Sequence, residues 1–493
     1  MQGCTPVTDT LRQRAMTGLG WSYGSTAARI AIQFAAGVVL ARLLGPSPFG
    51  MVAAAWALVG AGSQFVDCGF GSALIQRETI SPAEIRFAFT MQLTVGAVLT
   101  AITALAASPL ATLAGNPAIA PAIRLLSIAL LIQAISQTPN CLLRRSLDFK
   151  TQQLAQLAGA ALGQGLVAIP MAAAGLGAAS LIAGQLAQLA IVAVIVHAKV
   201  RQPIAPLFRP PGPALLEFGS KAMATNLMNW TIAGLDSLAL SRFFGLVPAG
   251  LYNRAQTLAV TPAASFVQVI QSVLFPAYSR GAANPDSVRQ AYHASLGIVT
   301  AVAAPAGAVI AVASKTFAIG IFGHAWASAA DFLTPLALVM PLSAIMGMSG
   351  PLLWARGKVG SELGVQAVTL ICLAALLALA VRSDASAIAW AVLTSSLIRA
   401  LGMLWRTLPS AGSTWADCAR VLAGPALLAV LAAAAAVVAD NLLAPATATH
   451  RLLAIAATTG PLIAVCGPFL LPREARELIR TALPARLAWG QAS

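Results

Sequence analysis

The sequence has very little charge. Of its 493 residues, only 9% are Asp, Glu, Lys or Arg, whereas a soluble domain carries about 25%. A water-facing surface cannot be built from so few charges, so most of the chain is expected to face lipid. The other interpretation, a large soluble protein with an Ala-rich core, conflicts with the apolar runs of about 20 residues that recur along the chain.

Residue patterns that indicate metal sites, disulfide frameworks or common enzymes are also missing. The six cysteines form no C-x-x-C pair and the four histidines are scattered, so the sequence predicts neither a disulfide framework nor a metal. G-x-x-x-x-G-K-[ST], G-x-S-x-G and H-E-x-x-H do not occur. We therefore predict a protein that is not an enzyme and that uses no cofactor.

What charge there is has a strong positive excess. The chain has 30 Lys and Arg against 15 Asp and Glu, a formal net charge of +15. In a soluble protein this excess would suggest nucleic acid. Here the basic residues lie in short gaps between apolar runs, as the positive-inside rule and attraction to anionic lipid both require. We predict membrane lipids, and no nucleic acid, as partners.

The apolar runs predict an all-α membrane protein. Backbone groups in lipid must bond within their own segment, so the runs are expected to be helices. Lys and Arg concentrate in alternate gaps, which favours an even number of spans and cytoplasmic termini. The fourteen predicted spans are 17–41, 49–66, 85–108, 119–138, 152–173, 176–198, 214–244, 249–277, 292–314, 327–352, 359–381, 385–407, 419–439 and 451–471.

The chain also contains a repeat with an offset of 200 residues. ARLLGPSPFGMVAAAWAL (41–58) matches SRFFGLVPAGLYNRAQTL (241–258), with the Arg, two Gly and Pro of the turn in common. Chance matching in an Ala- and Leu-rich chain is the alternative. Duplication predicts two parallel, pseudo-symmetric six-helix bundles plus two C-terminal helices. The expected divisions are 1–200, 201–410 and 411–493.

Arg29 is the first candidate site residue, because it lies midway along the first predicted span. It is about 12 residues from either end of that span, at about 1.5 Å per residue. That depth is too great for easy snorkelling, so Arg29 is expected to face an aqueous cavity, an acidic partner or a bound anion. Gln33 lies four residues further on, on the same helix face.

The seventh predicted span has a second polar stripe. Asn226, Asn229 and Asp236 follow helical spacing, and Asn229 is the position 200 residues after Arg29. The stripe could line a cavity or could bond helices together, and the sequence leaves both interpretations open. Arg254, near the start of the next span, could pair with Asp236.

The repeat and its surroundings resemble a known family. LARLLGPSPFGMVAAAWAL (40–58) followed by FVDCGFGSALIQR (65–77) is similar to the start of bacterial polysaccharide flippases of the Wzx type. LDSLALSRFFGLVPAGLYNRAQTL (235–258) and VIQSVLFPAYSR (269–280) are similar to their seventh and eighth helices. These flippases form the polysaccharide branch of the multidrug/oligosaccharidyl-lipid/polysaccharide (MOP) exporter superfamily. The motifs cover the first ten predicted spans.

The resemblance implies two lobes around a central cavity that opens alternately to each side. The implied substrate is an oligosaccharide on undecaprenyl diphosphate, moved from the inner to the outer leaflet of the bacterial inner membrane for exopolysaccharide or lipopolysaccharide synthesis. Arg29 and Arg254 would then receive the diphosphate, while Gln33, Asn226 and Asn229 would face sugars. A polysaccharide polymerase and export machinery are the implied protein partners.

Two rival functions are compatible with a polytopic membrane protein. A cation-coupled exporter of drugs or small molecules on the same fold should have a buried acidic residue in its N-terminal half, where Asp67 is the candidate. A glycosyl polymerase or ligase should have a large outer loop with catalytic residues, and no loop between predicted spans exceeds about twenty residues. Both rivals are therefore less favoured than the flippase.

Overall fold

The computed structural model describes residues 7–66, 74, 80–146, 148–203, 205–208, 214–280 and 285–477. Within these ranges the regular secondary structure is helical and no β-strand occurs. The chain divides into two compact units, Met1–Gly250 and Leu251–Ser493. The division of the chain at 200 and 410 expected from the repeat remains a prediction.

The first unit consists of long helices joined by short turns. Its helices are α1 (Val7–Leu44), α2 (Pro46–Val66), α3 (Pro82–Leu105), α4 (Ala107–Leu113), α5 (Ala120–Arg145), α6 (Phe149–Ala160), α7 (Ile169–Ala173), α8 (Ala178–Val200) and α9 (Ala214–Phe244). A π-helical segment, Ala161–Ala168, joins α6 to α7. Pro170 lies two residues after that segment, and a missing N–H is a usual cause of such irregular turns.

Helix α10 (Leu246–Arg280) starts in the first unit and continues through the second. The other helices of the second unit are α11 (Pro285–Val312), α12 (Ser314–Phe317), α13 (Ala330–Ala355), α14 (Val359–Ala380), α15 (Ala385–Ala411), α16 (Trp415–Leu442) and α17 (Ala448–Leu470). Helix α11 packs against both α13 and α16, and α16 packs against α17. The two C-terminal helices attach to this unit through α11 and also through the segment that follows it, where Thr316 Oγ1 donates to Asp440 Oδ1 at 2.8 Å.

The prediction of an all-α membrane protein is confirmed. Among the described residues, eleven helical segments are long and apolar enough to cross a bilayer. Each of the fourteen predicted spans falls on helix in the described ranges, although fourteen as the number of spans stays a prediction. Large apolar side chains on the outside of the second unit are exposed, including Ile371 at 69%, Leu442 at 75% and Phe469 at 75%. Lipid is the solvent that such a surface suits.

The two copies of the repeat have the same local structure. Gly45 ends α1 with φ of +69° and Gly245 ends α9 with φ of +87°, a backbone region that favours glycine. Aligned positions of 36–50 and 236–250 agree at thirteen of fifteen in being buried, half-buried or exposed. Equal burial is not a consequence of shared composition, so it supports duplication over chance matching.

The second glycine of each copy permits a very close backbone contact. A Cβ added to Gly50 would lie 1.8 Å from the carbonyl oxygen of Leu246, and one added to Gly250 would lie 1.9 Å from that of Pro46. Pro46 and Leu246 are themselves 200 residues apart. The two contacts are therefore one contact repeated reciprocally, and both glycines are explained by packing.

Glycines also bring α6 and the π-helical segment close to α8. A Cβ on Gly159 would lie 2.8 Å from the carbonyl oxygen of Gln188, and one on Gly163 would lie 2.7 Å from that of Gly184. Small residues four apart allow this approach. The polar contact at this interface is the hydrogen bond that Gln164 Nε2 donates to Gln188 Oε1 at 3.2 Å.

Two arginines of the predicted cytoplasmic gaps bind backbone carbonyls. Arg86 Nε donates to the carbonyl of Ala205 at 2.9 Å, and Arg145 Nη1 donates to that of Leu74 at 2.9 Å. Thr90 Oγ1 accepts from the N–H of Leu207 at 3.0 Å. The basic residues that predict orientation therefore also hold the chain between spans, a role that charge counting does not reveal.

The reciprocal glycine contact makes a prediction about stability. Gly50→Ala and Gly250→Ala should each destabilise the protein by about 1–3 kcal/mol, because a methyl group has no space against a carbonyl oxygen. The melting temperature of the purified protein in detergent measures this loss. Gly364→Ala, in α14 where nothing lies within 4 Å of the added Cβ, is the control. Unchanged melting of both Gly50→Ala and Gly250→Ala would contradict the packing.

Candidate functional site

Arg29 lies on the buried stripe of α1. Ser25, Ala36 and Leu40 are 7%, 6% and 3% exposed, and helical geometry places them within about 40° of Arg29 around the axis. Exposed residues such as Phe34, at 38%, lie on the other side, about 140° from Arg29. Gln33 belongs to the same stripe and, like Arg29, is half-buried. Arg29 and Gln33 therefore face protein on a shared stripe, as predicted from their spacing.

The guanidinium of Arg29 retains bonding capacity. Its Nε atom is buried and has no hydrogen-bond partner among the described residues. An arginine has five N–H donors and no means of losing its charge at ordinary pH. A buried N–H without an acceptor is costly, so this position is suited to an anionic group supplied from outside the protein.

The corresponding stripe of α9 contains Asn229 and Asp236. Asn229 is half-buried, Asp236 is 2% exposed, and Asp236 Oδ1 accepts from the N–H of Ser237 at 2.6 Å. They occupy the positions of Arg29 and Ala36 in the other copy. The stripe lies about 100–120° around the helix from Trp230, whose Nε1 donates to the Ala57 carbonyl of α2 at 3.4 Å.

The remaining predicted site residues are placed as follows. The side chain of Asn226 lies outside the described residues, as does Asp67. Arg254, in the second unit, is half-buried and donates from Nη2 to Asn253 Oδ1 at 3.0 Å. The structure thus brings Arg29 and Gln33 onto one stripe, and Asn229 and Asp236 onto the equivalent stripe. A single substrate site that joins them with Arg254 remains a prediction.

The second unit contains a cavity that the sequence did not predict. Its volume is about 580 Å³, within the roughly 300–1,000 Å³ of small-molecule sites. Four helices line it: α10, α13, α14 and α15. The polar lining residues are Gln268, Gln271, Ser343, Trp354, Glu362 and Arg399.

A polar network crosses one side of this cavity. Trp354 Nε1 donates to Glu362 Oε2, and Gln366 Nε2 donates to Glu362 Oε1 at 3.2 Å. Arg399 interacts electrostatically with the same carboxylate. Gln366 is 0% exposed, so the network is anchored in the packed interior and holds Glu362 in a defined position.

A proline break in α13 borders the cavity. The carbonyl of Gly347 would normally accept from the N–H of residue 351, but Pro351 has none. Gln271 of α10 supplies the missing donor, since its Nε2 lies 2.6 Å from the Gly347 oxygen. A Cβ on Gly347 would lie 2.2 Å from Val267 Cγ1, so the absence of a side chain lets α10 approach. The sequence signal for this contact is Pro351, which lies four residues after Gly347.

The fold is similar to solved structures of the MOP superfamily. A lipid II flippase, MurJ, in an inward closed conformation aligns with a TM-score of 0.74 and 12% identity, covering 93% of this chain and 99% of that one. An inward-facing multidrug resistance MATE family transporter aligns with a TM-score of 0.63 and 15% identity, covering 78% and 95%. The chain therefore has the fold of these two membrane proteins.

Sequence comparison identifies the family within that class. A family model described as polysaccharide biosynthesis protein matches residues 39–331, more than half of the chain, and the protein belongs to this family. It is 26% identical over 365 residues to the lipopolysaccharide biosynthesis protein WzxC of Escherichia coli K12, covering 71% of this chain and 72% of the relative. The succinoglycan biosynthesis transport protein ExoT of Rhizobium meliloti is 26% identical over 366 residues, with 71% and 73% covered.

The contact between Gln271 and the proline break can be tested with a double-mutant cycle. Gln271→Met should destabilise the protein by about 1–3 kcal/mol, because the Gly347 carbonyl is left without a donor. In a Pro351→Ala background the new N–H of residue 351 can bond to that carbonyl, so Gln271→Met should cost far less there. Thermal melting in detergent gives both values. Equal losses in the two backgrounds would disprove the contact.

Proposed function

We propose that this protein is a flippase that moves oligosaccharide linked to undecaprenyl diphosphate from the inner to the outer leaflet of the bacterial inner membrane. The product would supply exopolysaccharide or lipopolysaccharide synthesis. Family membership and the MOP-type fold support this function, and alternating access is the mechanism that the fold class uses. Both termini would lie in the cytoplasm, and a polymerase with export machinery would act on the delivered unit.

The observation that carries the proposal is the buried Nε of Arg29 without a partner among the described residues. A diphosphate offers several anionic oxygens, and a guanidinium binds such groups in a planar, two-pronged geometry. Arg29 lies 22 residues after the start of α1 and 15 before its end, so it is deep in the helix. A headgroup that brings its own negative charge would offset the cost of that depth.

Neighbouring polar residues provide for the sugars. Gln33 lies one turn from Arg29 on the same stripe, and Asn229 occupies the Arg29 position of the second copy. Side-chain amides both donate and accept, which matches hydroxyl groups that do the same. The duplicated stripes thus differ in their polar groups: one has a guanidinium and an amide, Arg29 and Gln33, and the other has an amide and a carboxylate, Asn229 and Asp236. The lipid tail needs no protein site, because it can stay in the bilayer.

One observation favours a second candidate, a cation-coupled exporter of small molecules on the same fold. Asp236 is a buried carboxylate, 2% exposed, of the kind that such an exporter needs, and it lies in the second copy of the repeat. If lipid-linked oligosaccharide crosses the membrane at the same rate with and without a cation gradient, the result favours a flippase that is not coupled to cations.

Arg29→Gln should slow transport by about tenfold to a hundredfold, because one or more charge-assisted hydrogen bonds of about 1.5–3 kcal/mol are lost. Arg29→Lys should be intermediate, since a lysine keeps the charge without the planar donors. The protein is reconstituted into vesicles with a lipid-linked oligosaccharide, and a membrane-impermeant glycosidase reports how much substrate reaches the outer leaflet.

Arg124→Gln is the matched control for this experiment. Arg124 belongs to the same unit, is exposed, and donates from Nη2 to Ser108 Oγ at 3.1 Å, so its loss should leave transport near the wild-type rate. Insertion and monodispersity of all variants are compared first. Transport by Arg29→Gln at the wild-type rate would refute the role of Arg29.

A further inference from the structure

None of the residues predicted from sequence to bind substrate is among those that line the cavity of the second unit. It lies between the C-terminal halves of α10, α13 and α15 and the first turn of α14, where Glu362 is found. Under the predicted orientation these parts are at the cytoplasmic end of the spans, next to the basic residues Arg356 and Lys358. A cavity at this end opens toward the leaflet in which a lipid-linked saccharide is made.

The charge of the cavity lining distinguishes among ligand classes. Its ionisable groups are one carboxylate, Glu362, and one guanidinium, Arg399, and these interact with each other. The formal sum is zero. A phosphate would be attracted by Arg399 and repelled by Glu362. A cation would be attracted by Glu362 and repelled by Arg399. The lining therefore suits a neutral, strongly polar group.

The side chains that line the cavity match the two surfaces of a sugar ring. Gln268 and Ser343 can donate and accept, Glu362 accepts and Arg399 donates, which serves hydroxyl groups in either role. Trp354 is 50% exposed, so its indole offers an apolar face for the C–H side of a pyranose. A drug-like apolar ligand would displace water from the carboxylate and the guanidinium without offering them a hydrogen-bond partner.

The lining is also held in position before any ligand arrives. Trp354 is oriented by its bond to Glu362, which is fixed from behind by the fully buried Gln366. Gln271 is held by the Gly347 carbonyl at the proline break. Side chains whose orientation is already set lose little entropy on binding, which favours specific recognition.

We propose that this cavity is a saccharide subsite, which receives a neutral sugar of the lipid-linked oligosaccharide on the cytoplasmic side. The inference rests on the proposed flippase function and adds to it a selection step for the sugar portion of the substrate. The diphosphate is bound elsewhere, because the cavity has no net positive charge.

The test compares two ligands: undecaprenyl diphosphate carrying the saccharide unit of the host, purified from cells, and undecaprenyl diphosphate without sugar. Equilibrium binding to the full-length protein in detergent is measured for each. Wild type should bind the saccharide-bearing lipid more tightly. Trp354→Leu should weaken binding of that lipid about tenfold while changing the affinity for the sugar-free lipid less than twofold.

Two further variants make the result decisive. Gln268→Ala removes an exposed lining side chain that folding does not need, and it should show the same selective loss. Trp390→Leu is the control, because Trp390 is 48% exposed on the part of α15 away from the cavity. If Trp354→Leu and Gln268→Ala bind the saccharide-bearing lipid as wild type does, or lose both lipids in parallel, the subsite is refuted.

The outcomes also separate the subsite from the flippase proposal. Equal affinity of wild type for the two lipids, together with normal movement of the saccharide-bearing lipid in vesicles, would overturn the subsite and leave the flippase function standing. Failure of wild type to bind or move the saccharide-bearing lipid would overturn the flippase function and the subsite with it.

Discussion

Hydrocarbon offers no hydrogen-bond partner, and every feature of this protein is shaped by that constraint. Backbone groups must bond within their own helix, so the described chain is helical. Where Pro351 breaks the pattern, a side chain from another helix supplies the missing donor to Gly347. The buried Nε–H of Arg29 has no acceptor among the described residues, and we expect the substrate to supply that acceptor. The same requirement thus stabilises the fold and indicates the functional site.

The two copies of the repeat share packing but not chemistry. Gly50 and Gly250 make the same contact with the backbone of the other copy, so these positions are constrained by space. Arg29 and Asn229 occupy equivalent places on equivalent stripes, as do Ala36 and Asp236. Because packing does not require identical polar groups there, the stripes were free to diverge. Asymmetry of this kind suits a substrate with a charged end and a neutral end.

The cavity in the second unit shows how a packed helical bundle can still provide a polar site. Glu362 and Arg399 compensate each other, and Gln366 fixes the carboxylate from the interior. Such a pair would be costly in a membrane if either partner were absent. The cavity borders the proline break in α13, and the polar groups line it. The irregular part of α13 and the polar side chains of the cavity therefore lie at the same place in the helical bundle.

Sequence alone was sufficient for the class of protein, the helical segments, the repeat and the placement of Arg29 with Gln33 on one stripe. Low charge, apolar runs and helical spacing are local properties, so they can be counted along a chain. Only the tertiary structure decided that Gly50 and Gly250 contact each other's copies, that Arg86 and Arg145 bind loop carbonyls, and that Gln271 completes α13. It also showed that Arg399, which lies within the twelfth predicted span, shares a cavity with Glu362. These pairings join residues far apart in the chain, and their energies depend on distances between helices that no local pattern encodes.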